Sequence, residues 1–204
     1  MKNFLTFGIM LLLTITLAGC GDAKAQQEST VVGSVAVESR MDSGPSTPTS
    51  RSLIVYFSHS GNTRELARQI QQRTGADVLE LRTVTPYTTV YNDLTQQVKR
   101  ELENAYRPAL QPINVKLENY DTIFLGSPIW WGTVATPISS FLATNNLSGK
   151  VIKPFVTHGG SGLARSIEAI KSLCPQADVR QGLAIHSRNV NSSQNELAAW
   201  IGEK

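Results

Sequence analysis

From residue 52 onward, continuous apolar runs alternate with amphipathic segments. Residues 53–57 (LIVYF) are apolar without a break, and the segment after them sets Leu66, Ala67 and Ile70 on one face at helical spacing. A second run at 78–81 precedes 91–106, where Leu94, Val98 and Leu102 recur every four residues. Residues 122–126 (TIFLG) form a third run; Pro137, suited to a first helical turn, then leads Ile138, Phe141 and Leu142. A fourth strand at 151–157, a helix carrying Leu163, Ile167 and Ile170, a fifth strand within 177–186 and a last helix with Leu197, Trp200 and Ile201 complete the series. Five β/α units with strands apolar on both faces predict an α/β domain. Its expected form is a three-layer, doubly wound, five-stranded parallel sheet with right-handed crossovers. Pro154 cannot donate to a ladder and has Lys153 beside it; the run PFVT keeps the fourth strand, with an irregular first half.

The chain before residue 52 has a different texture. Residues 21–51 are rich in Ser, Thr, Gly, Gln and Pro, as in SGPSTPTS, and read as a tether. About 30 such residues span roughly 30 Å. Ahead of them, Lys2 supplies a positive start and 4–17 an apolar stretch too short to cross a bilayer. It ends Leu17-Ala18-Gly19-Cys20, which resembles the bacterial lipobox. The resemblance implies a signal peptide at 1–19, a lipidated Cys20 opening a tether at 20–51, and a domain at 52–204. It places the protein in the cell envelope, anchored to a membrane and facing outside the cytoplasm. More than one acyl chain anchors stably, at roughly 0.8 kcal/mol per buried methylene. No twin arginine is present, so export is expected to precede folding, with any cofactor acquired afterwards. With Cys20 so used, Cys174 is the remaining one of two cysteines, which leaves no internal disulfide. It reads as a small buried hydrophobe rather than a reactive thiol.

Composition removes some functions. A net charge of +3 with no Lys/Arg cluster argues against nucleic acid. The three histidines, His59, His158 and His186, form no metal-ligand spacing, and no metal site is expected.

In open parallel sheets ligands sit beyond the carboxyl ends of the strands. Three loops there have unusual composition, while the one after strand two (TVTPYTTVYND) looks less organised. SHSGNT (58–63) offers short donors in Ser58, Ser60, Asn62 and Thr63, a glycine at 61 and a helix start near Arg64. It fits either a polar turn capped by Asn62 or Thr63, or an anion cradle at a helix N-terminus. It is neither a Walker loop nor a dinucleotide fingerprint. SPIWWGT (127–133) sets two indoles side by side; along extended backbone both cannot enter one core, so at least one covers a surface feature or a flat ligand. THGGSG (157–162) has glycines at 159, 160 and 162, which permit either a flexible turn or close backbone approach to a ligand.

Taken in order, YFSHSGNT, GSPIWWG and THGGSG resemble the flavodoxin family, of the short-chain type, from about residue 52 to the C-terminus. The resemblance implies strand order 2-1-3-4-5 and non-covalently bound FMN. Carried over position by position, it gives Ser58, His59, Ser60, Gly61, Asn62 and Thr63 to the phosphate. Pro128, Ile129, Trp130, Trp131, Gly132 and Thr133 would line one side of the ring system and the ribityl chain. Thr157, His158, Gly159, Gly160 and Ser161 would line the other, with Gly162 leading into the helix. In this family a backbone carbonyl beside the ring can turn toward its N5 on reduction, and Gly132 is the candidate here. Many small flavodoxins are strongly acidic, whereas this chain is slightly basic. The implied activity is electron transfer to a redox partner protein or a small molecule, with no side chain assigned as a catalytic group. An FMN-dependent NAD(P)H:quinone-type reductase and a flavin-free binding module on the same fold are the alternatives.

Overall fold

A computed structural model of the protein describes residues 51–202. The signal peptide at 1–19, Cys20 and all of the tether except Arg51 lie outside the described residues. The strands are β1 (Ser52–Tyr56), β2 (Asp77–Glu80), β3 (Thr122–Trp130), β4 (Thr133–Val134), β5 (Val151–His158), β6 (Asp178–Val179) and β7 (Leu183–His186). The helices are α1 (Asn62–Thr74), α2 (Tyr91–Glu103), α3 (Thr136–Thr144), α4 (Ser166–Leu173) and α5 (Gln194–Gly202). Single 3-10 segments cover Leu117–Asn119 and Ser187–Ser192.

The main sheet runs β2-β1-β3-β5-β6, with β7 also pairing β5 and β4 pairing the end of β3. Every pairing is parallel except β3 with β4. With β6 and β7 taken as two halves of one outer strand, this is the expected 2-1-3-4-5 order. Strand alternation sorts the core into two layers. Leu53, Val55, Phe57, Ile123 and Leu125 pack with α2, α3 and α4 through Val98, Ile138, Phe141 and Ile170. Ile54, Tyr56, Phe124, Phe155 and Ile185 pack with α1 and α5 through Leu66, Ile70, Leu197 and Trp200. The expected three layers follow, and burial of both sheet faces explains the unbroken apolar strands.

The fifth strand departs from expectation by breaking at 180–182, and Pro154 supplies the reason. The Ile152 carbonyl accepts from the Arg180 N–H (2.8 Å), so residues 152, 154 and 156 present backbone groups to the outer strand. Pro154 has no N–H to offer there. β6 accordingly ends opposite Ile152, and β7 begins opposite Phe155. β5 itself is continuous from Val151 to His158, not irregular in its first half. Lys153 is explained on the opposite face. Its Nζ donates to the carbonyls of Trp200 and Ile201 (3.3 Å each) in the last turn of α5 and lies 5.5 Å from the Trp200 ring centre.

Candidate functional site

The end of β1 turns sharply into α1. Gly61 is the N-cap residue at φ +94, a left-handed conformation in which a β-carbon is strained. The helix starts at Asn62, so neither Asn62 nor Thr63 caps it, and no side chain does. The first-turn N–H groups are left to face whatever lies beyond the strand end. Ser58 is buried under the turn, and its Oγ accepts from Gly61 N–H (3.2 Å). Asn62 Nδ2 donates to Ser60 Oγ at 3.2 Å. Thr63, 1 % exposed, meets Thr157 hydroxyl to hydroxyl at 2.8 Å, which joins this turn to the end of β5. The one cation of the segment, Arg64, is turned away to Glu80. The turn therefore presents neutral donors and a helix N-terminus.

The segment expected as a second loop is largely strand. β3 continues through Ser127 and Pro128, paired with Val156 and Thr157, as far as Trp130. A two-residue reversal then returns the chain as β4, with Trp130 opposite Thr133 and Ile129 opposite Val134. Both turn residues have positive φ, Trp131 at +50 and Gly132 at +77, the pattern of a type I′ hairpin. The reversal puts the two indoles in different surroundings. Trp130 packs edge-on against Phe57 (5.4 Å between ring centres), Tyr87 (5.0 Å) and His59 (6.0 Å). Trp131, 53 % exposed, reaches across to α2, donates from Nε1 to the Thr95 carbonyl (3.1 Å) and has Lys99 Nζ 5.9 Å from its ring centre. The Gly132 carbonyl, the candidate for turning toward a ring, accepts from Arg165 N–H at 3.0 Å. Turning it would break this link between the hairpin tip and the segment before α4.

At the end of β5, His158 Nδ1 accepts from Gly160 N–H (2.9 Å), and its carbonyl accepts from Ser187 Oγ (3.0 Å). The His186 ring stands 5.5 Å away, edge to face. Burial first, and then the neighbouring His186, hold the His158 pKa below the usual histidine value. At neutral pH it is thus a neutral ring, its proton on the nitrogen that Gly160 leaves free.

These three strand ends enclose a cleft of ≈ 670 Å³. His59 and Ser60, the run Pro128 to Trp131, and Thr157, His158 and Gly159 all line it. Ser58, Gly61, Asn62 and Thr63 lie in or beneath the turn beside it, and Gly132 and Thr133 at the hairpin tip and return. Gly160, Ser161 and Gly162 follow the rim and are not part of its lining. One wall was missed in the sequence. Tyr91, Leu94, Thr95, Gln96 and Val98 of α2 form it, and Ser187 adds to the floor. Leu94 and Val98 share the spacing of core residues, so the only available signal was Tyr91, a tyrosine 75 % exposed at a helix start. Among the described residues no group of three His, Cys, Asp or Glu is placed to hold a metal ion.

A family model described as Flavodoxin matches residues 51–204. No curated protein matches the chain. Among solved structures, a candidate flavoprotein from Bacteroides uniformis superposes with a TM-score of 0.68 at 25% identity, over 76% of this chain and 99% of its own. A second, from Bacteroides eggerthii, gives 0.62 at 27% identity, over 73% and 98%. A flavoprotein from Lactobacillus acidophilus, solved in complex with FMN, gives 0.61 at 22% identity over 73% and 99%, a likeness of fold alone.

Proposed function

The chain belongs to the flavodoxin family, and from that premise we propose that its cleft holds FMN non-covalently and that the protein carries electrons. The observation that supports this most is the convergence of a neutral donor turn at a helix N-terminus with an aromatic wall, in one cleft of ≈ 670 Å³. The residues present fit such a group. A dianionic phosphate suits the free N–H groups at the start of α1, with Ser58, Ser60 and Asn62 as hydroxyl and amide donors and Thr63 tying the turn to β5 through Thr157. A flat ring system suits the space between Trp130 and Trp131 on one side and Thr157, His158 and Gly159 on the other. Bound there, FMN supplies the one- and two-electron redox chemistry. This chain's residues bind it, orient it and screen it from water. Similarity to an FMN complex of the same fold agrees with the reading.

The proposed setting is the cell envelope. Cys20 would carry lipid, and the segment at 20–51 would hold the domain off the membrane surface, facing outside the cytoplasm. The partner would be a redox protein or a small-molecule donor or acceptor.

Titration of the purified 51–204 domain into FMN tests the cofactor. The expected result is stoichiometric quenching of flavin fluorescence at one FMN per chain, with a yellow protein. FMN that stays free would overturn the proposal. NADPH consumption with a quinone acceptor then separates carrier from reductase, and a carrier shows none above the rate of free FMN.

A further inference from the structure

Behind Trp130 lies a buried carboxylate to which the electron-carrier reading assigns no task. Glu101 of α2 is 7 % exposed, in the same buried stripe as Leu94 and Val98. Its Oε2 accepts from the Tyr87 hydroxyl (2.7 Å) and from the Thr136 hydroxyl (2.7 Å), and its Oε1 from the Gln97 amide (2.9 Å). The Tyr87 and Thr136 hydroxyls are themselves 2.8 Å apart. Among the described residues no Lys or Arg forms an ion pair with it.

Burying a carboxylate against neutral donors only is costly. An apolar residue at this place in the stripe would fill the space without that cost. What a carboxylate offers instead is two oxygens able to accept from several donors at once. Here the donors come from three places around the cleft: the connection before α2 (Tyr87), the start of α3 just after the hairpin (Thr136), and α2 itself (Gln97). Tyr87 in turn stands edge-on to Trp130 at 5.0 Å and to Phe57 at 6.0 Å. Its phenol is 9 % exposed, so without Glu101 it would keep Thr136 as its one partner.

We propose that Glu101 is a positioning residue for the flavin site: through Tyr87 and Thr136 it locks Trp130 into the cleft wall before the cofactor arrives. The inference rests on the flavin reading only for its binding arm. Pre-setting the wall spares the entropy of ordering it on binding. Loss of the lock should therefore appear as weaker FMN binding, together with a change confined to one indole in the empty protein.

The test uses residues 51–204 labelled with 5-fluorotryptophan, which gives one fluorine resonance for each of Trp130, Trp131 and Trp200, assigned by single Trp→Phe variants. Glu101→Leu is expected to shift and broaden the Trp130 resonance in the apoprotein and to leave that of Trp200 in place. It should also raise the FMN dissociation constant about five- to tenfold, the loss expected when a buried hydrogen bond is removed. Glu101→Gln, whose amide oxygen keeps the acceptor for the Tyr87 and Thr136 hydroxyls and whose amide nitrogen donates to a turned-over Gln97 amide oxygen, should restore both readouts to within about twofold. Should Glu101→Leu fail to fold, Tyr87→Phe decides, since it removes one hydroxyl and keeps the ring; the expected change is the same in kind and about threefold in affinity. A Trp130 resonance and an FMN affinity unchanged in the folded variant would overturn the proposal, as would Gln behaving no better than Leu. Failure of the wild-type domain to bind FMN would instead sink the cofactor assignment, and the fluorine signals of the apoprotein would still judge Glu101.

Discussion

Trp131 holds a backbone conformation that side chains with a β-carbon resist, at φ +50 on the tip of a hairpin. Left-handed backbone costs roughly 1–2 kcal/mol for such a residue. What it gains in place is an exposed hydrogen bond to the Thr95 carbonyl and a nearby Lys99. Stored strain of this kind collects at binding sites. Asn tolerates the left-handed region better than other non-glycine residues. Trp131→Asn is therefore expected to stabilise the apoprotein by about 0.5–1 kcal/mol in urea unfolding while weakening FMN binding. A variant that lost both stability and affinity would show the indole to be structural. The tryptophan pair was legible in the sequence as two side chains needing different surroundings. Glu101 was not. It sits in KRELE among Lys99, Arg100 and Glu103, all exposed, and although it falls seven residues after Leu94 and three after Val98, spacing alone does not tell a buried glutamate from a solvated one. Its partners Tyr87 and Thr136 lie 14 and 35 residues away, so only the fold brings them together.

Among the elements, β3 was legible as a strand but not in its length. The apolar run ends at Gly126, yet pairing with β5 carries the strand on through polar Ser127 and Pro128. Tertiary pairing outweighs local composition there. Gly126 itself is fixed by close packing: a β-carbon would overlap the Phe155 ring and lie 2.7 Å from Tyr56 Cβ. Gly126→Ala should destabilise the domain by about 3 kcal/mol, measured by thermal or urea unfolding. A loss well under 1 kcal/mol would mean that Phe155 can swing aside. Helix α1 was placed correctly by its apolar face, but its cap was not, because the sequence offers Asn62 and Thr63 as conventional caps. The chain uses Gly61 instead and spends the Thr63 hydroxyl on Thr157. The break in the outer strand was foreshadowed by Pro154, read in the right element but assigned to the wrong one of the two paired strands.

Among the described residues of the domain, His158 and Glu65 oppose acid in successive ranges. The His158 pKa is held below its ordinary value, so the folded state favours the neutral ring. Its contribution is present above about pH 6.5 and is lost as pH falls through that value to the depressed one. Glu65, bonded to Arg68 and Gln69, has its pKa lowered from 4.5 to about 2. Its contribution is present above pH 4.5 and disappears as pH falls toward 2; for a pair near the surface it is under about 1 kcal/mol. Urea midpoints recorded against pH should therefore decline in two stages. His158→Asn, which keeps an acceptor for Gly160 N–H, should flatten the first stage, and Glu65→Gln the second. A single stage untouched by His158→Asn would contradict the burial of that ring.

The break at 180–182 reaches beyond the sheet's internal order. An outer strand of eight or nine unbroken residues would display a ladder of open backbone groups, on which a neighbouring chain could lay down a strand of its own. β6 has two residues and β7 has four, set apart by a gap, and β2 on the opposite margin also has only four. Neither margin offers a template long enough to recruit a second molecule, so crowding many such domains together carries little risk of cross-strand stacking.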